Sequence, residues 1–153
     1  MNEHEFNLFY ETSNLRTHML DTLTDEDLAF ALPNAPRLGD LCRWMGHIEA
    51  VYINSFKTLK QDWSVRAPHE PQTVEGLKAL FKTLDDEFAA TLKAIPTEDF
   101  QAKMIVRGPH FTLPLGGQFH VYREALLIFY GKCSIYLLAL GKPFSEQWRN
   151  WIG

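Results

Sequence analysis

With 153 residues, 46% of them hydrophobic and 22% charged, the chain has the make-up of one globular domain over residues 1–153, large enough to bury a core without disulfides or a structural metal. A formal charge of -4 and the lack of any run of lysine and arginine exclude a general nucleic-acid binder and leave a small molecule or another protein as partner. The longest apolar stretch, Ala125 to Leu140, is interrupted by Lys132 and falls short of a membrane span, so a soluble protein is expected.

Four helical patterns follow one another. Over residues 5 to 23, Leu8, Leu15, Met19 and Leu23 form one apolar stripe, flanked by Phe9 and Leu20. Thr24-Asp25-Glu26-Asp27 then supplies capping side chains for a short turn through Phe30, closed by Pro33 and Pro36. The second helix is expected from Arg37 to Lys60, where Leu38, Leu41, Met45, Ile48, Tyr52 and Phe56 recur at three- and four-residue steps. A polar connector from Trp63 to Gln72 leads to a third helix beginning near Thr73, with Val74, Leu77, Phe81, Leu84, Phe88 and Leu92 inward.

Residues 96 to 117 break the rhythm with prolines and glycines, and Lys103 to Val106 pairs with Phe111 to Leu113 as a small hairpin. The last long helix, Gln118 to Leu140, carries only Arg123, Glu124 and Lys132 as charges after its first turn, so it is buried on most sides, inside a bundle or between subunits. Its surplus of apolar surface predicts a homodimer. Gly141 suits the helix end, and Pro143 prevents continuation. A tail with Trp148 and Trp151 is expected to fold back on the bundle as one short turn. Cys42 and Cys133 form no CxxC and sit in apolar helical patterns, which implies buried free thiols and a reducing cytoplasm. The opening MNEHEFNLFYE has neither the basic start nor the apolar run of a secretory signal.

Two stretches carry a family resemblance. Leu23 to Glu49 (LTDEDLAFALPNAPRLGDLCRWMGHIE) resembles the first half of the DinB/YfiT-like proteins, with an acidic turn, a proline, and a helix opening on a small residue and an acid. Tyr130 to Pro143 (YGKCSIYLLALGKP) resembles the family's last helix, with a glycine, a Leu-rich run and a closing Gly and Pro. The resemblance implies an all-α four-helix bundle with a long crossover between helices three and four, commonly dimeric. It also implies a metal-dependent hydrolase or thiol S-transferase, in which one histidine of the second helix and two of the last bind nickel or zinc.

At the positions that match those ligands this chain has Trp44, Ala125 and Phe129. An indole keeps its N–H proton, alanine has no donor and phenylalanine has only a π face, so none of the three ligates a divalent metal. The expectation is a bundle that has lost the metal site and keeps an apolar or aromatic pocket there, for a small ligand or as packed core, with no cofactor. The competing reading slips the second-helix alignment by three residues, making His47 a ligand with His120 and Glu124 and restoring a zinc or nickel enzyme. Further residues bear weaker readings: His110 in the crossover loop as a pocket-mouth or plain loop residue; Gly116-Gly117 as an anion-binding turn or a flexible helix entry; Tyr52, Tyr122, Tyr130 and Tyr136 as a polar cavity end or core.

Overall fold

The computed structural model describes residues 3–153. Four long helices carry the bundle: α1 (Glu3–Asp21), α2 (Leu38–Thr58), α3 (Val74–Lys93) and α5 (Leu115–Ala139). The crossover from α3 to α5 holds a single-turn helix α4 (Asp99–Ala102) and a hairpin of β1 (Met104–Gly108) with β2 (Phe111–Pro114), and α6 (Glu146–Trp151) closes the chain. This is the all-α bundle with a long crossover that the sequence predicts. Among the described residues no helix is long and apolar enough to cross a membrane.

Each boundary has a local cause. Thr73 caps α3, its hydroxyl accepting from the Gly76 amide at 3.1 Å. Asp25 accepts from the Val74 amide at 2.7 Å, so the α3 start is also capped by a carboxylate from the turn after α1. α2 ends because Leu59 turns left-handed at φ 57°, and α5 stops before Gly141, whose φ of 66° suits glycine.

The hairpin pairs Ile105 with Leu113 and Val106 with Thr112 and is longer than the sequence suggests. It is fastened to the end of α2: the Gln61 amide donates to the Val106 carbonyl at 2.8 Å and the Val106 amide to the Leu59 carbonyl at 2.9 Å. α5 begins three residues earlier than expected, so Gly116 and Gly117 lie inside it as neither an anion turn nor a loose entry. A Cβ on Gly116 would stand 3.0 Å from the Gln101 amide nitrogen, so the glycine lets α4 lie against the first turn of α5 and packing overrides its poor helix propensity.

The core joins Phe9, Leu15, Met45, Phe56, Phe81, Phe88, Phe119 and Leu126. In the tail Trp148 is buried, its indole donating to Ser134 Oγ at 3.1 Å, whereas Trp151 stays 39% exposed. Cys42 and Cys133 are free and buried; their interaction across α2 and α5, with burial, holds the Cys133 thiol well above its ordinary range.

Candidate functional site

The seam between α2 and α5 is antiparallel. Ser55 receives the Gln118 amide at 2.9 Å, the rings of Tyr52 and Tyr122 are 5.6 Å apart, and Cys42 meets Cys133. This register brings Trp44 level with Phe129 and the next turn of α2 level with Ala125. Trp44 is nonetheless 53% exposed while Phe129 is 6% exposed. The expectation of an aromatic pocket or packed core at these positions is therefore corrected for Trp44: its indole lies on the outer edge of α2, edge-on to His47 at 6.4 Å between centroids. An indole at the rim keeps its N–H in water without needing a buried acceptor.

The histidine alternative does not assemble either. His47 Nδ1 accepts from the Ala67 amide at 3.0 Å and Nε2 meets Glu70 at 3.1 Å, so both ring nitrogens are engaged in holding the connector between α2 and α3. His120 and Glu124 are exposed on α5. Among the described residues no three His, Cys, Asp or Glu side chains gather as a metal site. Trp44, Ala125 and Phe129 bring no ligand atom to the positions the resemblance assigns, and the one free ring-nitrogen lone pair of His47 accepts from the Ala67 amide. His110 sits exposed at the hairpin tip, and His4, His18 and His69 are exposed.

The centre of the bundle holds a charged cluster that the sequence reading missed. The Arg16 guanidinium of α1 binds Glu49 Oε1 of α2 and, at 2.6 Å, Asp85 Oδ2 of α3, and it stacks 4.2 Å over the Phe81 ring. The Tyr122 hydroxyl of α5 donates to Glu49 Oε1 at 2.9 Å, and Ser13 donates to Asp85 at 3.0 Å. Arg16 and Glu49 are each 1% exposed. Glu49 Oε2 and the Tyr130 hydroxyl, both buried, have no hydrogen-bond partner among the described residues.

Burial pushes the Glu49 carboxyl up to about 7, with Asp85 adding to the rise and Arg16 opposing it. Burial also opposes the charge on Arg16, but Glu49 and Asp85 together carry it well above its ordinary value, so the guanidinium stays cationic. Burial raises both Tyr122 and Tyr130, so their hydroxyls remain protonated. One signal could have revealed the cluster: Glu49 falls on the inward line Met45, Glu49, Tyr52, Phe56, and a charge on an apolar line needs partners from other helices.

Nearer the other end of the same seam lies an apolar cleft of about 310 Å³, lined by Leu32, Ala35, Pro36, Leu41, Lys132, Ile135 and Tyr136. Leu41 is one turn before Trp44 and Lys132 one turn after Phe129, so the cleft adjoins the family's metal positions without including Trp44, Ala125 or Phe129. Lys132 is the one charged lining residue, its ammonium 5.4 Å from the centre of the Phe129 ring. Tyr136 donates to the Pro36 carbonyl at 2.7 Å, tying the proline loop to α5 and leaving its ring as cleft wall.

The fold so described, four long helices with a hairpin-bearing crossover, is that of the DinB-like proteins. A DinB-like protein from Bacillus cereus superposes with a TM-score of 0.77 at 15% identity, over 94% of this chain and 95% of that one. A DinB-like protein from Bacillus subtilis superposes with a TM-score of 0.74 at 13% identity, over 93% and 96%. Neither a protein-family model nor a curated protein sequence matches the chain.

Proposed function

We propose that the protein is a DinB-like bundle that works without the three-histidine metal centre and binds a small apolar molecule in the cleft between the Leu32–Pro36 loop, α2 and α5. The observation that carries this reading is the cleft itself, whose 310 Å³ lie at the small end of the range of ligand pockets, about 300 to 1,000 Å³. Hydrolase or thiol-transfer chemistry through nickel or zinc is not part of the reading, because neither Trp44, Ala125 and Phe129 nor His47, His120 and Glu124 offer a ligand set. The cytoplasm suits the two free thiols.

N-phenylnaphthylamine, an uncharged fluorophore, is expected to brighten on binding the protein. Ala35→Trp, which fills the cleft, should abolish that response while leaving the helical circular dichroism unchanged. Equal brightening of parent and variant would refute the reading.

The outer face of α5 favours a second proposal, that two copies pair along it. Ile128, Ile135 and Leu138 are 59%, 58% and 65% exposed, a surplus of apolar surface that symmetric pairing would cover. Light scattering at micromolar concentration is expected to give twice the 17.7 kDa chain mass. A monomer at every concentration would remove this proposal and leave the cleft reading intact.

A further inference from the structure

We infer that the molecule held in the cleft carries a carboxylate, with Lys132 as its ionic partner; the inference rests on the small-ligand reading above and names the ligand's class. Six of the seven lining residues present apolar surface or the Tyr136 ring, so the body of the ligand is hydrocarbon or aromatic. The seventh is Lys132, and no acid lines the cleft. A cationic ligand would find no counter-charge there and would meet a like charge.

Lys132, like Lys60 and Lys93, has no carboxylate partner among the described residues, and of these three it alone lines the cleft. Lys57, Lys78, Lys82, Lys103 and Lys142 each face a carboxylate. Among the described residues Lys132 makes no ion pair, and its described contact is with the Phe129 ring. A lysine stem lies easily on apolar surface while its head reaches outward. Here Lys132 is the one charged residue of the lining and has no described carboxylate partner, so its charge is available to the polar head of a bound molecule.

The opposite wall is preformed. Ala31 and Arg37 bridge across the loop, the Leu38 amide donates to the Phe30 carbonyl at 2.9 Å, and the Ala35 amide donates to the Leu32 carbonyl at 3.1 Å. With Pro33 and Pro36 limiting its backbone and the Tyr136 hydroxyl holding Pro36, little ordering is left to be done on binding. The Tyr136 hydroxyl is thereby committed, which leaves Lys132 as the polar group able to recognise a head group.

The test compares octanoate with octanamide, matched in apolar body and differing in charge, by isothermal titration calorimetry near neutral pH. Octanoate is expected to bind about two- to fivefold more tightly, the range of an exposed ion pair. Lys132→Met should bring octanoate down to the octanamide level without changing octanamide, and Lys132→Arg should keep the preference. Equal affinities in the parent, or a preference surviving in Lys132→Met, would overturn the carboxylate while the cleft reading stands. Binding of neither ligand would overturn the cleft reading as well. Light scattering recorded alongside reads out a competing second copy: octanoate uptake that occurs only as a dimer dissociates would assign the cleft to the partner and overturn the inference.

Discussion

At the middle of the α2–α5 seam, Glu49 and Tyr122 meet inside a charged cluster; two to four turns along, Leu41, Lys132 and Tyr136 border an open and almost wholly apolar cleft. The contrast reverses what a surface is usually made of. In the polar cluster Arg16 and Glu49 are buried and Arg16 answers Glu49 and Asp85, with Asp85 at 23% exposure its one contact with solvent, while the apolar cleft has one unpaired charge in its lining. Charged residues at the heart of a bundle are therefore not a sufficient mark of a working site. Charges that answer one another across three helices hold those helices in register, and the proposed recognition lies instead where apolar surface is left without a partner.

The largest expected effect lies in the cluster. Arg16→Ala would leave Glu49 and Asp85 without their counter-charge and should cost about 3 to 5 kcal/mol in urea unfolding. A loss below about 1 kcal/mol would show that the cluster does not hold the four helices together. Next comes the pair from the family's metal positions. Phe129→Ala removes a buried ring and should cost about 3 kcal/mol, whereas Trp44→Ala, at the exposed edge of α2, should stay within about 0.5 kcal/mol. Equal losses would put Trp44 back in the interior.

A smaller effect separates the two regions by pH. The Glu49 carboxyl sits at about 7 in the folded protein against an ordinary 4.5, so the folded state retains a proton that the unfolded chain releases between those values. Its contribution is complete below about 4.5 and is lost as pH rises through about 7. Glu49→Gln, which stays neutral, should flatten the stability profile in that window, and an unchanged slope would assign the titration elsewhere. The smallest expected effect is none: zinc or nickel at hundredfold excess should leave the melting temperature where it is. A micromolar site would add about 2.7 kcal/mol under those conditions.

How far the sequence reaches also differs between the two regions. The helices were legible because Leu38, Leu41, Met45, Tyr52 and Phe56 repeat at helical spacing, and Thr73 and Gly141 mark ends by local chemistry that needs no neighbour. The start of α5 was not legible, since Gly116 and Gly117 are poor helix formers and the packing of α4 against Gly116 is not visible in the sequence. Arg16, Glu49 and Asp85 were missed because a charge on one helix looks solvated until the other helices supply its partners. The resemblance supplied the level of Trp44 along the bundle but not its side. A step of one residue swings a side chain by about 100°, enough to carry it from core to rim, and that angle is fixed by packing. Lys132 was visible as an interruption of the apolar run, but its lack of an acidic neighbour is a property of the folded surface.

The turn after α1 has a consequence for the cleft. Asp25 ties that turn to the start of α3, Asp27 ties it to Lys142 beyond α5 at 2.6 Å, and the Leu32–Pro36 wall follows within a few residues. Local opening of the wall is thus governed by two carboxylates that touch no ligand. Burial alone would raise the Asp27 carboxyl, but hydrogen bonds from Lys142 and Thr24 hold it below its ordinary range, so its contribution lasts down to acid pH and is lost as pH falls through that lowered value. Glu49 titrates with the opposite slope and is lost upward. The bundle is in this way pinned at its edge by a carboxylate that must stay charged and at its centre by one that is steadier neutral, and acid would loosen the mouth of the cleft without costing the contribution of Glu49.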